Sequence, residues 1–163
     1  MGSLAIDTTH SGDWNYASSA TSASAAAEVH VGNFTAPSSP GWLHDLEDQL
    51  ASILNLQAGW DSYGADRPDD ALVAHALDIF LEAATDQTPA PQVIPLPSGG
   101  IQLEWHCAGI DIEMSVERFG AADLYVHDRE GRLADTEIAI SQDLAPFVGA
   151  LNELTLRTAD ARG

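Results

Sequence analysis

The chain has 163 residues, 45% of them hydrophobic, which suits a single domain with a core of ordinary size. It contains 25 acidic residues, six arginines and no lysine, which gives a net charge of -19. This charge argues against direct nucleic-acid binding, because such binding needs clustered cations. No run approaches the roughly 18 consecutive apolar residues of a membrane span, which excludes a helix of that kind.

Residues 1–40 are rich in Ser, Ala, Thr and Gly and show little hydrophobic periodicity. Such a segment cannot bury enough apolar area to offset its ordering entropy, so the sequence predicts a poorly ordered arm. The N-terminus lacks the basic segment and apolar stretch of a signal peptide, and the single cysteine, Cys107, rules out an internal disulfide. These features predict a cytoplasmic protein.

Two helices are predicted after the arm. Ser39 and Pro40 indicate a cap and first turn, and leucines at helical spacing predict a helix over 41–56. A glycine-bracketed loop, 59–66, follows. Pro68 with two aspartates then opens a second helix, because carboxylates suit the positive end of the helix dipole. Its predicted buried stripe consists of Leu72, Ala76, Ile79, Phe80 and Ala83.

The hydrophobic period then changes from 3.6 to two. Residues 91–97 predict a proline-broken edge strand. Strict alternation over 101–107 and 110–117 predicts two strands, joined at Ala108 and Gly109 as a tight hairpin. A third arm carries Leu124 and Val126, a turn at 128–131 leads into a weaker strand over 133–140, and apolar residues from Leu144 to Leu154 predict a C-terminal helix.

The order of these elements predicts an α+β domain over residues 41–157, with a short tail at 158–163. Its parts are two N-terminal helices, an antiparallel meander of four to five strands and a C-terminal helix. Since each strand has one apolar face, the helices are expected to cover one side of the sheet. The other side is expected to be polar and acidic.

The same alternation places a set of polar side chains on the uncovered side. They are Glu104, His106, Asp111, Glu113, Glu117, Tyr125 and His127. Carboxylates beside imidazoles can form a metal site or an acid–base pair, or simply a solvated or partner-binding face. Because no spacing matches a metal or nucleophile motif, we assign no catalytic residue, metal or cofactor. Cys107 alternates onto the apolar side with Trp105, which predicts an inert thiol.

The loop at 59–66 is the most distinctive local feature of the sequence. Trp60 and Tyr63 are large amphipathic rings, and together with Asp61 they are candidates for anchoring a partner. The alternative is structural: Trp60 closes the end of the core and Asp61 caps the loop.

This loop and a later segment carry a resemblance. Residues 59–65 read Gly-Trp-Asp-Ser-Tyr-Gly-Ala, and residues 95–105 read Pro-Leu-Pro-Ser-Gly-Gly-Ile-Gln-Leu-Glu-Trp. Over residues 41–118 the chain resembles a loose set of small, uncharacterised prokaryotic proteins that share both motifs. It departs from their pattern at Ser62, where the resemblance implies a second glycine. The resemblance implies no activity.

Three hypotheses of function follow. The charge, the small size and the lack of catalytic motifs favour a non-enzymatic binding protein that neutralises or escorts a basic protein, of the antitoxin, immunity or accessory-subunit kind. One form of it is mimicry of a nucleic-acid backbone by the acidic face. The alternatives are a structural subunit of a larger assembly and a metal-dependent hydrolase using the acidic face. The acidity is also typical of a lysine-poor coding bias or a salt-loving host.

Overall fold

The computed structural model describes residues 39–141 and 143–161, which belong to one compact unit. The predicted arm, 1–40, lies outside the described residues apart from its last two. The described elements, in chain order, are α1 (Leu43–Leu54), α2 (Asp70–Ala83), β1 (Gln92–Pro95), β2 (Ile101–Cys107), β3 (Ile110–Arg118), β4 (Ala121–Asp128), β5 (Thr136–Ile140) and α3 (Ala145–Asp160).

The first helix begins two residues later than predicted, and Ser39 does not cap it. Trp42 occupies the N-cap position without a side-chain hydrogen bond, and the amide of Leu43 donates to the carbonyl of Pro40 at 3.1 Å. Trp42 is instead a core residue: its ring meets Phe80 edge-on at 5.0 Å, and its indole N–H donates to the carbonyl of Thr85 at 2.9 Å. Burial of this ring fixes the entry of α1.

The second helix begins at Asp70 with Asp69 at its N-cap, so the predicted start is close, but Pro68 lies before the helix and not in its first turn. The carboxylate of Asp69 accepts hydrogen bonds from the amides of Ala71 and Leu72, which satisfies donors that have no partner inside a helix. Four of the five residues predicted for the buried stripe are buried, and Leu72 is half-buried because Val73 takes the inward position of that turn.

The five strands form one antiparallel sheet in the order β1-β2-β3-β4-β5, so the predicted meander is confirmed. Ala108 and Gly109 connect β2 to β3 with positive φ angles of 50° and 75°, as a two-residue turn that follows the sheet twist requires. Between Ser115 and Arg118, β3 bulges by one residue against β4.

All three helices contribute to one apolar core against the inward side of the sheet, which confirms the α+β class. Among the described residues, no helix covers the other side. The rings of Trp42, Phe80, Trp105 and Phe147 follow one another through this core at centroid distances of 5.0, 5.9 and 6.0 Å. Full burial of one large apolar side chain contributes roughly 1.5–3 kcal/mol, so this core accounts for the fold's main stabilisation.

Two predicted boundaries near the C-terminus differ from the structure. β5 starts at Thr136 instead of 133, because the preceding residues form a loop closed by the carboxylate of Asp128. α3 continues to Asp160, past the predicted domain end at 157, because Arg157 in its last turn is buried against that same carboxylate.

Candidate functional site

The outward side of the sheet, here called the open face, carries polar side chains in rows that cross the strands. One row places His106, Asp111 and His127 opposite one another, and the next places Glu104, Glu113, Tyr125 and Glu137 together. A third row consists of Gln102, Ser115, Asp123 and Ala139. Directly opposed residues lie about 5 Å apart, so the carboxylates of the open face form a dense negative surface.

His106 lies between two carboxylates on this face. Its Nδ1 is 3.1 Å from Oδ1 of Asp111, and its Nε2 is 3.2 Å from Oε2 of Glu104. A neutral imidazole has one donor and one acceptor, so only the imidazolium satisfies both carboxylates. Arg129 adds a second cation, with Nη2 at 3.0 Å from both oxygens of Asp111.

These contacts shift the pKa values of both partners. The hydrogen bond to Asp111 is the main cause that raises the pKa of His106 above its ordinary 6.5; burial opposes the rise, and Glu104 adds to it. Burial alone would raise the pKa of Asp111, but hydrogen bonds from His106 and Arg129 bring it below its ordinary 3.8. The cluster therefore favours the charged forms of both His106 and Asp111.

The second row contains three carboxylates, and among the described residues His106 is the one cation that pairs with it, at Glu104. Glu104 and Glu113 are direct cross-strand neighbours, and like charges in that position repel. The side-chain amide of Gln102 donates to both carboxylates and partly relieves this repulsion. A cation supplied from outside the molecule would relieve more of it.

The loop at 59–66 has a defined backbone. Oδ1 of Asp61 accepts hydrogen bonds from the amides of Tyr63 at 2.8 Å and Ala65 at 3.0 Å, which lower the pKa of Asp61 and confirm that it caps the loop. Trp60 is half-buried and its indole N–H donates to the carbonyl of Asp66, whereas the side chain of Tyr63 is 94% exposed. The predicted burial of Trp60 in the core is thus only partial.

Positive φ angles recur along this loop, at Gly59 (80°), Ser62 (66°) and Gly64 (99°). Ser62 is the position where the resemblance implies glycine, and it takes a left-handed conformation that glycine adopts without steric cost. Ser62 therefore holds a backbone conformation that is strained for a residue with a side chain.

The residues just after the first motif of the resemblance contact the second motif. The amide of Asp66 donates to the carbonyl of Pro97 and that of Asp69 to the carbonyl of Gly99, both at 2.9 Å. A β-carbon at Gly99 would lie 3.0 Å from the carbonyl oxygen of Arg67. The glycine-bracketed loop is therefore attached to the β1–β2 connection at one end of the sheet.

The predicted partner-binding residues fall into two groups. Glu104, His106 and Glu113 adjoin one another on the open face, and Glu117 is exposed beside Gly100 where β3 bulges. Trp60, Asp61 and Tyr63 lie in the loop attached to the β1–β2 connection. Gln102 and Arg129 also contact these carboxylates and are not among the predicted site residues. The strand alternation places Gln102 on the open face, whereas only the register of the strands brings Arg129 to Asp111.

Cys107 is exposed, which corrects the prediction that it is buried with Trp105. It does alternate onto the inward side, but it is the last residue of β2, and β1 pairs with that strand only as far as Glu104. The thiol therefore lies beyond the cover of the neighbouring strand.

In the described part of the chain, no group of three His, Cys, Asp or Glu side chains is arranged to hold a metal ion. The nitrogens of His106 already contact carboxylates, and Asp111 already pairs with Arg129. Across residues 39–141 and 143–161, no helix has the length and apolar character needed to cross a membrane.

Comparison with known proteins does not identify the chain. No family model, no curated protein and no solved structure matches the chain.

Proposed function

We propose that this protein is a non-enzymatic acidic binding protein whose open face holds a basic protein, which it neutralises or escorts. The observation that carries the proposal is the second row of that face, which places Glu104, Glu113 and Glu137 on β2, β3 and β5. Among the described residues His106 pairs with Glu104, whereas neither Glu113 nor Glu137 forms an ion pair. Opposite charge on a partner would relieve the repulsion within the row and speed association.

The exposed ring of Tyr63 supports the same function from the end of the sheet. It projects from a loop whose conformation is already fixed by Asp61, so its burial by a partner would cost little ordering entropy. An aromatic anchor beside a charged face combines apolar contact area with electrostatic steering.

The test is affinity capture from the native host with two variants of equal charge. One carries Glu104→Gln, Glu113→Gln and Glu117→Gln; the matched control carries Glu47→Gln, Asp78→Asn and Glu82→Gln, all exposed helical positions. We expect a basic protein to be retained by the wild type and by the control, and to be lost from the first variant and at high salt. If both variants retained the basic protein equally, the acidity would contribute through the net charge of the molecule and not through the open face.

The size of the purified protein tests the alternative of a structural subunit. A monomer in size-exclusion chromatography agrees with the proposal, whereas a closed homo-oligomer without a basic partner contradicts it.

A further inference from the structure

The two edges of the sheet are built differently. At the β1 edge, the side-chain amide of Gln49 imitates a neighbouring strand: its Oε1 accepts from the amide of Val93 at 2.8 Å, and its Nε2 donates to the carbonyl of Pro91 at 2.9 Å. Pro95 ends the strand and lacks a donor. These features protect β1 from pairing with another chain.

The β5 edge has no such cover within residues 39–141 and 143–161. Its five residues pair with β4 on one side only, and in an antiparallel pair alternate residues direct their N–H and C=O groups away from the partner strand. None of the hydrogen bonds of the described residues crosses the outer side of Glu137–Ile140. As far as the described residues go, this edge can accept one more strand.

The side chains along β5 indicate what that strand would be. On the open face Glu137 lies opposite Tyr125, and Asp135 precedes the strand. On the inward side Ile138 is 39% exposed, next to a groove of about 220 Å³ between the start of β5 and the start of α3. Its apolar lining includes Val126, Leu133, Ala134, Ala145 and Pro146. One side of the edge is therefore acidic and the other apolar.

We propose that the β5 edge binds an extended segment of the basic partner as a sixth strand, with Lys or Arg alternating with apolar residues. The cations would face Glu137, the end of the second row at this edge, and the apolar side chains would face Ile138 and the groove. This inference rests on the proposed function, for which it names the docking mode. A second copy of this chain is a poorer occupant, because each copy carries a net charge of -19.

The test uses a synthetic peptide, Lys-Val-Lys-Thr-Lys-Val-Lys, titrated into the full-length labelled protein and followed by NMR. We expect amide shifts concentrated in Thr136–Ile140 and slowed hydrogen exchange there. A control peptide of equal charge, with proline in place of both valines, cannot pair as a strand and is expected to bind at least about tenfold more weakly. Glu137→Lys is expected to weaken binding about tenfold, and Asp78→Lys, an equal change of charge on the exposed side of α2, about twofold or less.

Three outcomes would overturn this inference. The first is equal binding of the proline peptide, and the second is amide shifts in β2 and β3 without shifts in β5. The third is slow hydrogen exchange of the outward β5 amides in the free protein, because it would mean that another segment or a second copy already occupies the edge. The first two leave the proposed function intact, since the open face would still attract cations. If the peptide added as a strand to β5 but no basic protein were captured, the proposed function would be rejected and the strand-binding capacity of the β5 edge would remain.

Discussion

The carboxylate of Asp128, the last residue of β4, accepts hydrogen bonds at 2.9 and 2.7 Å from the guanidinium of Arg157 in the last turn of α3. Both residues are buried. The same carboxylate accepts from the backbone amides of Glu130, Arg132 and Leu133. These bonds hold the pKa of Asp128 well below its ordinary range and raise that of Arg157. One side chain thus closes the β4–β5 loop and fixes the C-terminal end of a helix.

Arg157→Ala is expected to lower the free energy of unfolding by about 3 kcal/mol, because it leaves a buried carboxylate without its cation. Arg67→Ala is the matched control, since Arg67 pairs with Asp70 at a similar distance in solvent and is expected to change stability by less than about 1 kcal/mol. Urea unfolding of both variants measures the difference. Equal decreases in the free energy of unfolding would show that the buried ion pair stabilises the fold no more than the exposed one.

The stability difference between wild type and Arg157→Ala is expected to depend on pH. Because the folded-state pKa of Asp128 is lowered, its stabilising contribution is present above its ordinary 3.8 and is lost as pH falls through the folded value. The two unfolding curves should therefore converge under acid conditions. A difference that stays constant down to pH 2 would contradict this assignment.

Ser62→Gly is expected to stabilise the protein by roughly 0.5–1 kcal/mol, because Ser62 has a φ of 66° that glycine adopts without strain. The same substitution at Ser52, inside α1, is expected to have the opposite sign, since glycine weakens a helix. Thermal unfolding of the two variants shows whether each substitution raises or lowers the stability. A loss of stability in Ser62→Gly would mean that the hydroxyl makes a contribution beyond backbone conformation.

Gly100→Ala is expected to cost about 2 kcal/mol or more, because its β-carbon would lie 2.4 Å from the carbonyl oxygen of Val116 and the strands would have to shift. At Gly41 a β-carbon would meet nothing within 4 Å, so Gly41→Ala is expected to be nearly neutral. Chemical denaturation measures both. Tolerance of alanine at position 100 would contradict the close approach of β2 and β3 there.

His106 is expected to titrate above 6.5 in an NMR experiment, and Asp111→Asn should lower its pKa towards that value, since the hydrogen bond to Asp111 is the main cause of the shift. Because the folded pKa is raised, the charged cluster stabilises the fold fully below pH 6.5 and loses this contribution as pH rises through the folded value. An unchanged pKa in Asp111→Asn would assign the shift to other neighbours.

Part of the candidate site follows from local pattern. The alternation over 101–107 and 110–117 was sufficient to place Glu104, His106 and Glu113 on one face, because side chains of a strand point to opposite sides with a period of two. Alternation failed for Cys107, since exposure at a strand end depends on how far the neighbouring strand extends.

The sequence by itself determined the element types, the meander and the side of the sheet that faces solvent, because hydrophobic period and turn chemistry are properties of neighbouring residues. Only the tertiary structure decided which distant groups meet. It pairs Asp128 with Arg157 across 29 positions and joins Asp66 to Pro97 and Asp69 to Gly99. Within the described residues it also covers the β1 edge and not the β5 edge. These contacts depend on the packing of whole elements, and no local periodicity encodes them.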